Sequence, residues 1–169
     1  MEICKGTALD VDAFISLLHI VRSGMDHAEW FYLDPPEEIR EMIANGSLEF
    51  WTAKDNGAMA AAFSVIHPGL SELNYGYDLG LSEKDLLRVV NMDTIAVLPG
   101  YRGRGLQYAL MQRAESDVCS DGDKILLCTV HPDNCYSLKN ILAQGYTIQR
   151  NLAKYNSVRY ILRKDRLKN

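Results

Sequence analysis

No stretch of this sequence is long and apolar enough to span a bilayer. The longest nearly apolar run, 58–66, is under half of the roughly 20 residues a membrane helix needs. A basic leader is missing too, since Glu2, Asp10 and Asp12 stand where its charges would be. A soluble, unexported, cytoplasmic protein with no membrane partner is expected. Positive charge is also in deficit: 18 Lys and Arg against 22 Asp and Glu leave a formal net charge of −4. The surface as a whole therefore has no attraction for nucleic acid, and an anionic ligand must be caught locally. The four cysteines, Cys4, Cys119, Cys128 and Cys135, make no C-x-x-C pair, so neither a metal site nor a disulfide framework is indicated and a reducing compartment fits. Repeats and interdomain linkers are absent, and 169 residues suit a single domain, 1–169, since domains usually run about 100–200 residues.

What is present alternates in type. A short strand at 2–5 precedes a helix over 8–22, opened by Thr7 and Asp10 at capping-box spacing and carrying Phe14, Leu17, Leu18 and Val21 at helical intervals. Asp34-Pro35-Pro36-Glu37 opens a second helix that stops at Asn45-Gly46. The β-prone runs 48–54 and 58–66 flank Asp55-Asn56-Gly57, a hairpin turn signal. The segment 67–87 is rich in Gly, Ser and Tyr, with one short helix capped by Ser82 and Asp85. A strand over 89–98, a helix over 104–118 and a strand over 124–130 form a βαβ unit with two parallel strands. A helix over 134–144 and strands over 146–155 and 158–163 complete the chain. The closing residues Arg159, Arg163, Lys164, Arg166 and Lys168 face only Asp165, which reads as a solvated edge strand protected by charge.

The most informative segment is Leu98-Pro99-Gly100-Tyr101-Arg102-Gly103-Arg104-Gly105-Leu106-Gln107, in which a strand runs through a glycine-rich turn into a helix. Such a turn presents backbone N–H groups and the positive end of a helix dipole, and so suits a phosphate. Gly103 and Gly105 let the phosphate approach the backbone, and Arg102 and Arg104 supply the cations the overall balance lacks. Gly100–Gly105 has Walker spacing, but Leu106 and Gln107 replace the required Lys and Ser/Thr. A dinucleotide fingerprint fails at Tyr108, where its third glycine would stand.

The segment resembles motif A of the GNAT superfamily of N-acetyltransferases, whose pattern is Arg/Gln, two residues, Gly, one residue, Gly/Ala. Arg102 and Gly105 match, whereas Gln107 occupies the last position. Downstream, Thr129-Val130-His131-Pro132-Asp133-Asn134-Cys135-Tyr136-Ser137, with Gly145-Tyr146 closing the helix, looks like motif B. The resemblance implies an α/β (α+β) fold: a mixed, mostly antiparallel twisted sheet with a central parallel, splayed strand pair and about four or five helices. It implies acetyl-CoA as co-substrate. The main chain of Ile95 and Val97, with Ala96 between them, would pair with pantetheine; Arg102, Gly103, Arg104, Gly105, Leu106 and Gln107 would cradle the pyrophosphate. Asn134 and Ser137 match positions that contact the pantetheine arm.

Amine acylation needs a base for the attacking nitrogen and is helped by an acid for the departing sulfur. Family members often carry the acid as a Tyr four residues before the closing glycine of motif B, and that position here is Ile141. Tyr136, earlier on the same helix, is the alternative acid. Asp93, just before the motif A strand, and His131, at the end of the second splayed strand, are candidate bases. Cys135 has no flanking base that would make it a nucleophile. Trp30, Phe31 and Tyr32 with Tyr75 and Tyr77 are candidates for an aromatic acceptor pocket. The expected activity is acetyl transfer to a primary amine of a small molecule. A protein or peptide amine is the alternative acceptor, and Gln107 with Ile141 leaves open a non-catalytic acyl-CoA sensor. A homodimer through terminal strands would accord with the family.

Overall fold

The computed structural model describes residues 1–167. Its elements are β1 (Glu2–Lys5), α1 (Val11–Ser23), α2 (Pro36–Ala44), β2 (Leu48–Asp55), β3 (Ala58–Ile66), α3 (Glu83–Leu86), β4 (Val89–Val97), α4 (Leu106–Val118), β5 (Lys124–Val130), α5 (Cys135–Ala143), β6 (Thr147–Lys154) and β7 (Ser157–Arg166). The strands form a seven-stranded sheet in the order β1-β2-β3-β4-β5-β7-β6. This is the expected mixed sheet, mostly antiparallel, with β4 and β5 as its parallel pair. Among the described residues no helix is long and apolar enough to cross a membrane. The chain divides into two compact units, Met1–Val65 with Thr94–Asp117, and Ile66–Asp93 with the residues from Val118 onward, so that β4 starts in the second unit and ends in the first.

In the first unit, the Asp10 carboxylate accepts hydrogen bonds from the Thr7 N–H at 3.0 Å and the Thr7 hydroxyl at 2.9 Å. The expected first helix therefore starts as a single 3-10 turn, Ala8–Asp10, before α1 proper. The stripe Phe14, Ile15, Leu17, Leu18 and Val21 is buried, and Phe14 stacks on Phe50 of β2 at 4.4 Å. α2 begins at Pro36 with Pro35 as its cap, so Asp34 does not cap it. Asp34 instead accepts a hydrogen bond from Tyr32, while burial and the Glu38 charge hold its carboxyl above the usual range. The β2–β3 hairpin turns at Asn56 and Gly57, both at positive φ, as the Asn-Gly signal requires.

In the second unit, β5 pairs antiparallel with β7 from Lys124↔Arg166 to Val130↔Tyr160, and β7 pairs antiparallel with β6. This corrects the expectation for the C-terminal strand. β7 is internal and the edge positions belong to β1 and β6. Arg159, expected in solvent, is only 3% exposed, and Arg163 is bonded to Asp165 at 2.7 Å. The reason is topological: the last strand inserts between β5 and β6, and charge composition carries no information on that insertion. Lys168 of the same expectation lies outside the described residues. The long segment before β4 is tied down by the buried Asn74, whose amide donates to the carbonyls of Gly69 and Leu86 at 2.6 and 3.0 Å. Asn91 of β4 holds it again by donating to the Leu73 carbonyl at 2.8 Å.

Candidate active site

The end of β4 is pinned to its neighbour, with the Thr94 N–H donating to the Ser64 hydroxyl at 3.2 Å and the Leu98 N–H to the Ala60 carbonyl at 3.0 Å. Ala96 is fully buried, whereas Ile95 and Val97 are half-buried, the alternation a strand imposes. A 3-10 turn, Pro99–Tyr101, follows. Its Tyr101 hydroxyl donates to Asp55 at 3.0 Å, a bond that raises the phenol's pKa. The Arg104 guanidinium lies over the Tyr101 ring at 4.8 Å and donates to the Gly100 carbonyl at 3.0 Å.

Gly103 and Gly105 have φ of +75° and +74°, the left-handed region that side chains disfavour. A Cβ at either would meet no protein atom within 4 Å, so conformation requires glycine there, and the space outside the turn is clear for a ligand. The Ala109 N–H donates to the Gly105 carbonyl at 3.0 Å, which makes Gly105 the residue from which α4 departs. The first turn of a helix lacks intrahelical acceptors and carries the positive dipole end. Arg102, Gly103, Arg104 and Gly105 are all exposed around it, Leu106 is buried beneath, and Gln107 is half-buried. The donors and cations fit an anionic diphosphate.

In the second unit, the parallel ladder runs from Val89↔Ile125 to Asn91↔Leu127, while β4 continues to Val97 and β5 to Val130. Asp93 and Thr129 are the next residues on the same faces as Asn91 and Leu127. Tyr75 packs with Val89, Ile125 and Leu127, and its side chain hydrogen-bonds both Thr129 and Tyr155. Burial first, then the Asp93 charge, raises the Tyr75 pKa well above the ordinary phenol value, so this hydroxyl stays protonated.

The β5–α5 turn carries the other expected residues. Asn134 caps α5, its side-chain oxygen accepting from the Ser137 N–H at 3.2 Å, so two residues matched to motif B meet in one cap. The Asp133 N–H donates to His131 Nδ1 at 3.2 Å; a neutral imidazole here therefore carries its proton on Nε2. Tyr136 is 90% exposed, and Ile141, at the usual acid position, is buried. Cys135 is exposed. Among the acceptor-pocket candidates, Trp30 stacks on His27 at 4.3 Å, and Tyr77 donates to the Leu70 carbonyl at 2.8 Å. Tyr155 escaped sequence reasoning; its only signal was the Tyr155-Asn156 pair between two strands.

A family model described as the acetyltransferase (GNAT) family matches residues 22–146. No curated protein matches the chain. Among solved structures, a GNAT-family acetyltransferase from Streptococcus agalactiae is 22% identical, covering 99% of this chain and 96% of its own at a TM-score of 0.69. A putative acetyltransferase from Salmonella typhimurium, solved with its cofactor acetyl-CoA, is 13% identical over 96% of this chain and 92% of its own, at a TM-score of 0.68. A ribosomal-protein-alanine N-acetyltransferase from Brucella melitensis is 15% identical over 99% of this chain and 100% of its own, at a TM-score of 0.69.

Proposed function

Since the chain belongs to the GNAT family of acetyltransferases, we propose that it moves the acetyl group of acetyl-CoA to a primary amine of a small molecule, by direct attack in a ternary complex. The observation that carries the donor half is the pair of left-handed glycines, Gly103 and Gly105, at the head of α4. Bound there, acetyl-CoA supplies an activated acyl group and a sulfur leaving group. The backbone amides of the turn, with Arg102 and Arg104, hold the diphosphate. The main chain of Ile95 and Val97 pairs with pantetheine as an added strand would.

Catalysis in this reading is chiefly positioning and electrostatics. The acceptor nitrogen must lose a proton, and Asp93, two residues before the pantetheine-binding edge of β4, accepts it directly or through a water. His131 is less suited to the base role, because its Nδ1 already accepts from the Asp133 N–H. Neither the solvent-facing Tyr136 nor the non-titratable Ile141 is given the acid role.

The donor is tested by the thermal midpoint with and without acetyl-CoA. A ligand at about 100 times its Kd adds roughly 2.7 kcal/mol to the native state; no rise at millimolar concentration (~100-fold above a 10 µM Kd) overturns the reading. Mass-spectrometric screening of small primary amines against peptides then tests the acceptor. Acetylated peptides alone would replace the small-molecule assignment, and firm donor binding with no acetylated product would favour a sensor.

A further inference from the structure

The β6–β7 hairpin turns at Tyr155 and Asn156, both with φ of 56°. Two consecutive left-handed residues match the twist of a hairpin, but the usual sequence there is Asn-Gly or Asp-Gly, and a bulky aromatic residue in that region is an outlier. Strained positions of this kind persist where the surrounding structure holds them, and they cluster at functional sites.

The surroundings hold Tyr155 firmly. Lys154, just before it, bonds the Asp78 carboxylate at 2.7 Å, and Arg150 donates to the Asp78 carbonyl at 2.6 Å. The Lys154 ammonium lies 5.2 Å from the Tyr75 ring and 5.6 Å from the Tyr155 ring, and the Arg159 guanidinium lies 5.9 Å from the latter. So fixed, the Tyr155 hydroxyl stands 2.8 Å from the Tyr75 hydroxyl. Tyr75 is 4% exposed, whereas Tyr155 is half-buried. With Thr129 the two phenols form a hydroxyl chain just past the last β4–β5 pair, close enough to Asp93 for its charge to act on Tyr75.

We propose that Tyr155 is the proton donor to the departing sulfur, and that Tyr75 is the positioning residue that aims it, in place of the helix tyrosine missing at Ile141. The assignment rests on the acetyltransferase reading above. In the step, the amine nitrogen bonds to the thioester carbonyl carbon and the carbon–sulfur bond breaks. Asp93 takes the nitrogen's proton, and Tyr155 Oη gives its own to the sulfur. Asp93 then releases its proton to solvent and the Tyr155 phenolate takes one up, so that in net terms one proton passes from nitrogen to sulfur in each turnover.

The test needs no acceptor. Free coenzyme A is titrated on the protein and its thiolate is followed by ultraviolet absorbance against pH, with the desulfo-coenzyme A complex as blank. A phenol that donates to the thiolate lowers the thiol pKa, so the bound thiol should titrate about one unit lower on the wild type than on Tyr155→Phe. Tyr75→Phe and Asp78→Asn, which remove the aim and the anchor, should each move it part of the way, and all three variants should bind coenzyme A as the wild type does at pH values below the thiol's titration, where the sulfur is neutral. Equal titrations on wild type and Tyr155→Phe, both binding, overturn this inference and leave the acetyltransferase reading standing. A wild type whose binding isotherm shows no coenzyme A uptake overturns both.

Discussion

The indole of Trp51, wholly buried on β2, donates a 2.7 Å hydrogen bond to the Asp117 carboxylate near the end of α4. Arg113, one turn earlier, donates to the same carboxylate at 2.9 Å. Burial pushes the Asp117 pKa up, but the hydrogen bonds from Trp51 and Arg113 outweigh it, and the net shift is downward. The pair ties the helix that opens at the glycine turn to the sheet beneath it.

Removing the acceptor should therefore cost stability. Asp117→Ala strands a buried indole N–H and should destabilise the protein by about 1–3 kcal/mol in urea unfolding. The sign of the pH dependence follows from the depressed pKa. The contribution is complete above the unfolded carboxyl's pKa and is lost as the pH falls through the lower folded value, so the gap between wild type and variant should begin to narrow only as the pH falls below about 4.

Two substitutions at Gly105 of the α4 turn should separate backbone strain from charge. Gly105→Ala should lower the thermal midpoint, because a left-handed backbone costs a side-chain-bearing residue about 1–2 kcal/mol. Gly105→Asp adds a carboxylate to the same strain and should abolish the midpoint rise given by acetyl-CoA. A normal rise with Gly105→Asp would remove the diphosphate from this turn.

Asp93→Asn should spare donor binding and slow turnover by about 10²–10⁴-fold, the usual contribution of a general base. The comparison is between an acetyl-CoA binding isotherm and coenzyme A release with an acceptor identified by the amine screen. A kcat unchanged by the substitution would remove Asp93 from the proton path.

The cysteines should alkylate in an order set by exposure. Burial drives the Cys128 thiol far above its ordinary pKa, whereas Cys135 is exposed at the start of α5. Thiolate is the reactive form, so peptide mapping after brief iodoacetamide treatment should find Cys135 modified and Cys128 unmodified until the chain is unfolded. Labelling of Cys128 in the native protein would place it at a surface.

The glycine turn, the Asn56-Gly57 hairpin and the order of strands and helices were all determined by the sequence itself. Each depends on near neighbours: a backbone that must turn left-handed, an apolar stripe at helical spacing, a strand's alternation. Those local demands admit few residue types and so leave a legible mark. The helix starts were read one or two residues out, at Asp34 and Arg104, because proline and glycine made rival boundaries there. The place of β7 was misread, since charged residues along a strand carry no mark of which strand lies beside it. Tyr75 and Tyr155 are 80 residues apart, and only the tertiary structure brings their hydroxyls together. The insertion of β7 between β5 and β6 and the docking of the hairpin on Asp78 set that distance, and both are long-range pairings, settled by the packing of whole elements and not by any residue's neighbours in the chain.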